Sequence, residues 1–262
     1  MTWEKTIGRV SFINCEPLFY NLDDSWSVLS APPSWLTGHL LRKDCIIAPI
    51  PAADYAKHKD DLFLIPDIAI SSKGEVGSVL LFGKVPIKDM KKIALPTDSA
   101  TSQALLQFLL KSMNYDVSYD EMGPDLETML DRCDGCLLIG DRALEAAKNF
   151  PELIMMDLGD EWKRISGSPM VFGVFAARRD SDLEQIKMAY SALLKNLEDF
   201  ETSKSTRESV IKLCSSKTNQ SIERLEKYFG EVINRVDSED INGLRTFLKT
   251  ACQVDEDLVL AW

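Results

Sequence analysis

The sequence predicts an α/β protein of two lobes with a cleft between them. Three observations carry that expectation. Short apolar runs alternate with helical patterns over the first two-thirds of the chain, as when strands are connected by helices. Two longer runs, Ser78-Val-Leu-Leu-Phe-Gly83 and Met170-Val-Phe-Gly-Val-Phe-Ala-Ala177, are β-branched and aromatic and bracket a compact α/β unit, as two crossings of the chain between lobes would. From Asp180 onward the pattern is helical only.

Taken in order, strands are expected at 7–13, 46–50, 62–70, 77–82, 92–95, 136–139, 153–156 and 170–177. Helices are expected near 34–42, 51–57, 100–113, 125–132 and 141–149. Strands separated by helices of this length argue for parallel sheets. The strongest helix is 100–113, where Leu105, Leu106, Leu109, Leu110 and Met113 share one face and Ser99 or Thr97 is placed to cap the start. In the tail, Leu183, Ile186, Tyr190, Leu193, Leu197 and Phe200 form one helical stripe. Ile222, Leu225, Phe229 and Val232 form a second, and Ile241, Leu244, Leu248 and Cys252 a third. The Ser-, Lys- and Thr-rich stretch 202–218 reads as a connection between helices. This division gives a first lobe of residues 1–82 plus 172–262, with the helical tail packed on it, and a second lobe of residues 83–171.

The 262 residues are 45% hydrophobic and 27% charged, an ordinary globular balance with enough length for two cores. A formal charge of −11 counts against nucleic acid or an anionic membrane as partner. The start, Met1-Thr-Trp-Glu-Lys5, carries no basic segment followed by a long apolar stretch, and no run of about 18 apolar residues occurs. A cytoplasmic chain without a membrane partner is expected. There disulfides are not expected between the six cysteines. Cys133-Asp-Gly-Cys136 has the spacing of a redox or zinc pair, but zinc needs two more ligands, and His39 and His58 are distant in sequence. Cys136 opens the apolar run Cys-Leu-Leu-Ile139 and reads as a buried strand residue, so no metal site is assigned.

Ligands of open α/β sheets bind beyond strand ends, where loops and helix N-termini converge. Four such loops stand out. In Ile13-Asn14-Cys-Glu-Pro17, Asn14 offers an amide donor and acceptor, or merely caps the next turn, whose first positions suit Pro17. In Pro96-Thr-Asp-Ser-Ala-Thr-Ser102, the free N–H groups at the helix start, from Ala100 onward, and the hydroxyls of Ser99, Thr101 and Ser102 suit an anion, carboxylate as well as phosphate. In Ile139-Gly140-Asp141-Arg142, Gly140 lets a ligand approach the backbone and Asp141 is a natural N-cap. Ser71-Ser72-Lys73-Gly74 reads by default as a turn. No G-x-S-x-G or H-E-x-x-H pattern occurs, and Glu121, Asp160 and Glu161 read as exposed charge. Composition and spacing lead to an anion-binding cleft and name no reaction.

At these same loops the sequence resembles the MqnA family, the chorismate dehydratases of the futalosine route to menaquinone. The matching residues are Ile7-Gly-Arg-Val-Ser-Phe-Ile-Asn14, Ser71-Ser-Lys-Gly-Glu-Val-Gly-Ser-Val-Leu-Leu-Phe82, Ser99-Ala-Thr-Ser102, Leu138-Ile-Gly-Asp-Arg-Ala-Leu144, Asp157-Leu-Gly-Asp-Glu-Trp162, Gly167-Ser-Pro-Met-Val-Phe172 and Gly243-Leu-Arg-Thr-Phe247. They run in order over nearly the whole chain. Cys15-Glu16 departs from a common form of the family, where a small and an apolar residue are frequent. The resemblance implies a periplasmic-binding-protein type II fold, an active site between the lobes and no metal or organic cofactor. It implies loss of water from chorismate, a small dicarboxylate, to give 3-[(1-carboxyvinyl)oxy]benzoate, with the substrate's enolpyruvyl carboxylate a possible base. On that basis Asn14 and Ser99 are the catalytic candidates. Arg9, Ser71, Ser72, Ala100, Thr101, Ser102, Gly140 and Asp141 are the binding candidates, and Arg9, Lys73 and Arg142 are open choices for the second carboxylate. Two other readings stay open. One is the sister enzyme that makes 1,4-dihydroxy-6-naphthoate from cyclic dehypoxanthine futalosine; the other is a cytoplasmic carboxylate-binding protein without activity.

Overall fold

The apolar runs become strands of two sheets in the computed structural model, which describes residues 2–262. Strands β1 (Thr6–Val10), β2 (Ser27–Ala31), β3 (Ile47–Pro51), β4 (Leu62–Ser72), β10 (Met170–Arg178) and β11 (Ile233–Arg235) form a six-stranded sheet in the order β11-β4-β10-β3-β1-β2. Strands β5 (Val79–Gly83), β6 (Lys92–Pro96), β7 (Ser118–Met122), β8 (Gly135–Ile139) and β9 (Ile154–Asp157) form a five-stranded sheet in the order β7-β6-β8-β5-β9. Every residue of β3, β5 and β8 is buried, as expected of strands covered on both faces, and this is why they read as unbroken apolar runs.

Helices α1 (Glu16–Phe19), α2 (Pro33–Leu41) and α3 (Ala52–His58) connect strands of the first sheet. Helices α4 (Ala100–Ser112), α5 (Leu126–Arg132), α6 (Gly140–Asn149) and α7 (Leu158–Ser166) serve the second. The tail forms α8 (Leu183–Thr202), α9 (Lys204–Thr218), α10 (Ile222–Glu231) and α11 (Ser238–Thr250). Helix α8 packs on α1, and α11 on β10 and α3, so the tail covers the first lobe. Stretch 202–218 is not a bare connection but helix α9, which buries Val210, Ile211 and Cys214.

The sheets are mixed, not parallel. Pairs β1–β2, β1–β3, β6–β7 and β6–β8 run parallel, whereas β10 is antiparallel to β3 and β4, and β5 to β8 and β9. Strands β5 and β10 each arrive from the other lobe, free of the helical crossover that makes neighbours parallel. Residues 79–82, assigned by sequence to the first lobe, lie in the five-stranded sheet; Met170 and Val171 lie in the six-stranded one. The chain therefore crosses just before each of these strands rather than within them.

Asp157 organises the first crossing. Its carboxylate accepts the N–H groups of Val76 and Gly77 at 3.1 and 2.7 Å, and it caps α7 by accepting those of Gly159 and Asp160. Trp162 on α7 is buried edge-on against Phe108 and Phe247, with its indole N–H donating to the Pro169 carbonyl at 3.0 Å. Cys136 faces a small core with Phe82 and Met129, and burial pushes its thiol up to about 12, far from a reactive thiolate.

Candidate active site

Between the lobes lies a narrow cleft lined by residues from both. Its walls are mainly apolar, with Phe12, Ile50, Ile139, Phe172 and Val232 among them. The polar side chains that line it are Asn14, Ser78, Ser99, Thr101 and Ser102. None of the described lining residues carries an ionisable side chain.

Asn14 is placed by the short path from β1 into α1. A 3-10 turn, Ile13–Cys15, leads directly into α1, and Pro17 occupies the first turn of that helix, where its missing N–H costs nothing. The N-cap position belongs to Cys15, so the Asn14 amide does not cap. Asn14 is 7% exposed and its Oδ1 has no hydrogen-bond partner. A buried amide oxygen left unpaired ordinarily costs free energy, and a ligand in the cleft would relieve that cost.

Arg9, a binding candidate, does not line the cleft. Its guanidinium meets the buried Glu16 carboxylate at 2.5 Å and lies over the Phe19 ring, and Lys217 reaches the same Glu16 oxygen. Arg9 thus braces the helix that follows the Asn14 turn. Lys73 is likewise engaged, with Asp237 at 2.6 Å. Arg142 pairs with Asp98 and lies over the Phe12 ring.

The start of α4 forms a second part of the site. Ser99 is its N-cap residue, yet its side chain makes no capping bond. Its hydroxyl is therefore not committed to the helix, and with Ser102 it faces the cleft where the N-terminal dipole favours an anion. Thr101 also lines the cleft, and its Oγ1 accepts the Ala53 N–H at 3.1 Å from the opposite lobe. Ala100 is not a lining residue; its N–H donates to Ser34 Oγ at 3.3 Å. The Ser34 N–H donates in turn to the Asp98 carbonyl. These bonds hold the lobes together along the α4 edge.

Gly140 lines the cleft in a left-handed conformation, φ +59°, and a Cβ there would fall 2.5 Å from the Phe12 ring of the other lobe. Asp141 is not an N-cap, because α6 begins one residue earlier, at Gly140, with Ile139 as cap residue. Its carboxylate instead accepts the Ile13 N–H across the lobes. Ser71 and Ser72 end β4 rather than forming a turn. They lie fully buried outside the cleft lining, with hydroxyls bonded to the carbonyls of Ile233 and Gly74.

The structure thus gathers Asn14, Ser99, Thr101, Ser102 and Gly140 around one cleft and leaves Arg9, Ser71, Ser72, Ala100 and Asp141 outside its lining. Sequence reasoning missed Ser78, which lines the cleft at 3% exposure and is bonded to Tyr228. A lone serine ahead of an apolar strand carries no pattern of its own. Its only sequence signal was membership of the 71–82 block.

A family model described as menaquinone biosynthesis matches residues 5–253. A chorismate dehydratase of Thermus thermophilus is 35% identical over 191 residues, 67% of this chain and 70% of that protein. Among solved structures, a protein from Archaeoglobus fulgidus superposes with a TM-score of 0.76 at 19% identity, covering 95% of this chain and 96% of that one. A Candida albicans gene product, described as having the generic periplasmic binding protein structural fold, gives 0.69 at 14% identity over 96% and 91% of the two chains. The alkanesulfonate-binding protein of Xanthomonas axonopodis pv. citri, bound to MOPS, gives 0.61 at 13% identity over 98% and 95%. These structural likenesses show the two-lobed periplasmic-binding-protein fold.

Proposed function

This chain belongs to the menaquinone biosynthesis family, and we propose that it dehydrates chorismate in the cleft between its lobes. The observation that carries the reading is the unpaired, buried Asn14 Oδ1 in the same cleft as the Ser99 hydroxyl, which makes no capping bond to α4, with no ionisable side chain among the described lining residues. The similarity to the Thermus chorismate dehydratase supports the choice of substrate.

Dehydration of chorismate breaks the C3–H and C4–O bonds, releases water and leaves an aromatic ring, 3-[(1-carboxyvinyl)oxy]benzoate. The C3 proton is activated through the ring double bond by the ring carboxylate, so negative charge grows on that group as the proton leaves. The positive end of α4 beyond Ala100, whose own N–H is held by Ser34, and the Ser99 and Ser102 hydroxyls are dipoles suited to holding it. Apolar walls strengthen those dipoles by lowering the local dielectric. As the family resemblance implies, the proton goes to the substrate's own enolpyruvyl carboxylate, which passes it to the departing C4 hydroxyl to form water; no described lining side chain is ionisable and competes for it. Asn14 orients that carboxylate or assists the departing hydroxyl. The same reading makes the protein a cytoplasmic hydro-lyase of the futalosine route, acting on a dicarboxylate without a cofactor. No helix among the described residues is long and apolar enough to cross a membrane.

The test is incubation of purified protein with chorismate and no added cofactor, followed by chromatography with ultraviolet and mass detection. A product lighter by one water with a substituted-benzoate spectrum is expected. Unchanged chorismate in the presence of folded protein would overturn the proposal.

A further inference from the structure

The helical tail reaches the cleft through the Val232 side chain and through a hydrogen bond to a lining serine. Tyr228 on α10 is fully buried and donates its phenolic O–H to Ser78 Oγ at 3.1 Å, and Ser78 lines the cleft at 3% exposure. We propose that Tyr228 is a positioning residue that turns Ser78 into a hydrogen-bond donor for a substrate carboxylate.

The argument is one of proton count. A serine hydroxyl has one hydrogen and two acceptor positions. Burial raises the pKa of the Tyr228 phenol, so it keeps the proton that it donates to Ser78 Oγ. One acceptor position of Ser78 Oγ is thereby filled, and the serine's own hydrogen must find another partner. The Ser78 carbonyl is already occupied by the Gly140 N–H at 2.7 Å, which fixes the backbone against a second cleft residue. Helix α10 holds the same turn at a further point, where Arg224 donates toward the Gly77 carbonyl at 3.5 Å and to Glu231 at 2.9 Å. Ser78 is therefore oriented from behind by the tail and from the side by α6. Inside a cleft without ionisable lining groups, a fixed neutral donor suits an anionic oxygen.

The inference rests on the chorismate reading and is tested by steady-state kinetics of Tyr228→Phe, Ser78→Ala and the double variant. Loss of a hydrogen bond to a charged group predicts a rise in KM of about tenfold for each single variant, with kcat changed much less. The double variant should match Ser78→Ala, since Tyr228 acts only through Ser78. A purely structural tyrosine would lower Tm in Tyr228→Phe and leave KM unchanged, which would overturn the inference, as would additive effects in the double variant. Tyr228→Phe keeps the buried ring, so its KM decides the matter even if Ser78→Ala folds poorly. A wild type that leaves chorismate untouched defeats the proposed function and this inference together. An active wild type with an unaltered Tyr228→Phe KM defeats the inference alone.

Discussion

The Ile13 N–H donates to the Asp141 carboxylate at 3.0 Å, linking the two lobes beside the cleft residues Asn14 and Gly140. Burial pushes the Asp141 carboxyl up to about 6, with the Ile13 N–H and Arg142 only partly offsetting it. The folded protein therefore retains this proton up to about pH 6, whereas the unfolded chain releases it near 3.8. Folded protein binds more protons in that window, so this group's contribution to stability falls as pH rises from about 4 to about 6 and is level above it. Asp141→Asn keeps an oxygen for Ile13 and removes the titration. The Tm of the variant relative to wild type should rise across that window and stay constant above it. A difference independent of pH would show that Asp141 titrates normally.

Asn14→Ala should lower kcat by about 10² to 10³, the usual cost of removing one aligned polar group at a reacting centre. Thermal melting should change little, because Asn14 Oδ1 has no partner to lose. Near-normal kcat would remove Asn14 from the mechanism.

Ser99→Ala separates catalysis from capping. Truncating a serine that caps a helix through its side chain costs about 1 kcal/mol. The Ser99 side chain makes no such bond, so urea unfolding should show a smaller loss while turnover of chorismate falls. A loss of stability with full activity would assign Ser99 to the helix instead.

Gly140→Ala should impair both folding and activity. A left-handed backbone costs an alanine about 1–2 kcal/mol, and its Cβ would press on Phe12 from the opposite lobe. Trimming the ring in the double variant Phe12→Leu with Gly140→Ala should recover part of the lost turnover. Recovery of none would mean that backbone strain alone is responsible.

Much of this architecture was readable because its central strands are buried on both faces. Strands β3, β5 and β8 announce themselves as apolar runs, and α4 as a leucine stripe. The missed elements lie at edges or on polar surfaces. In β2 only Ala31 is buried, and β7, Ser-Tyr-Asp-Glu-Met, has no buried residue and forms by parallel pairing with β6. The site divides in the same way. Asn14, Ser99 and Gly140 were legible because strand-to-helix loops are where cleft residues must come from. The fates of Arg9, Lys73 and Arg142 were not, since their partners Glu16, Asp237 and Asp98 meet them only on folding. Tyr228 and Ser78 are joined across 150 positions, beyond the reach of any local pattern.

The four backbone donors gathered by Asp157 have a mechanical consequence. They tie the first linker to the head of α7, the helix that feeds the second linker through Gly167 to Pro169. Both passages of the chain from one sheet to the other are thereby joined at a single carboxylate, so one side chain sets the local geometry of both.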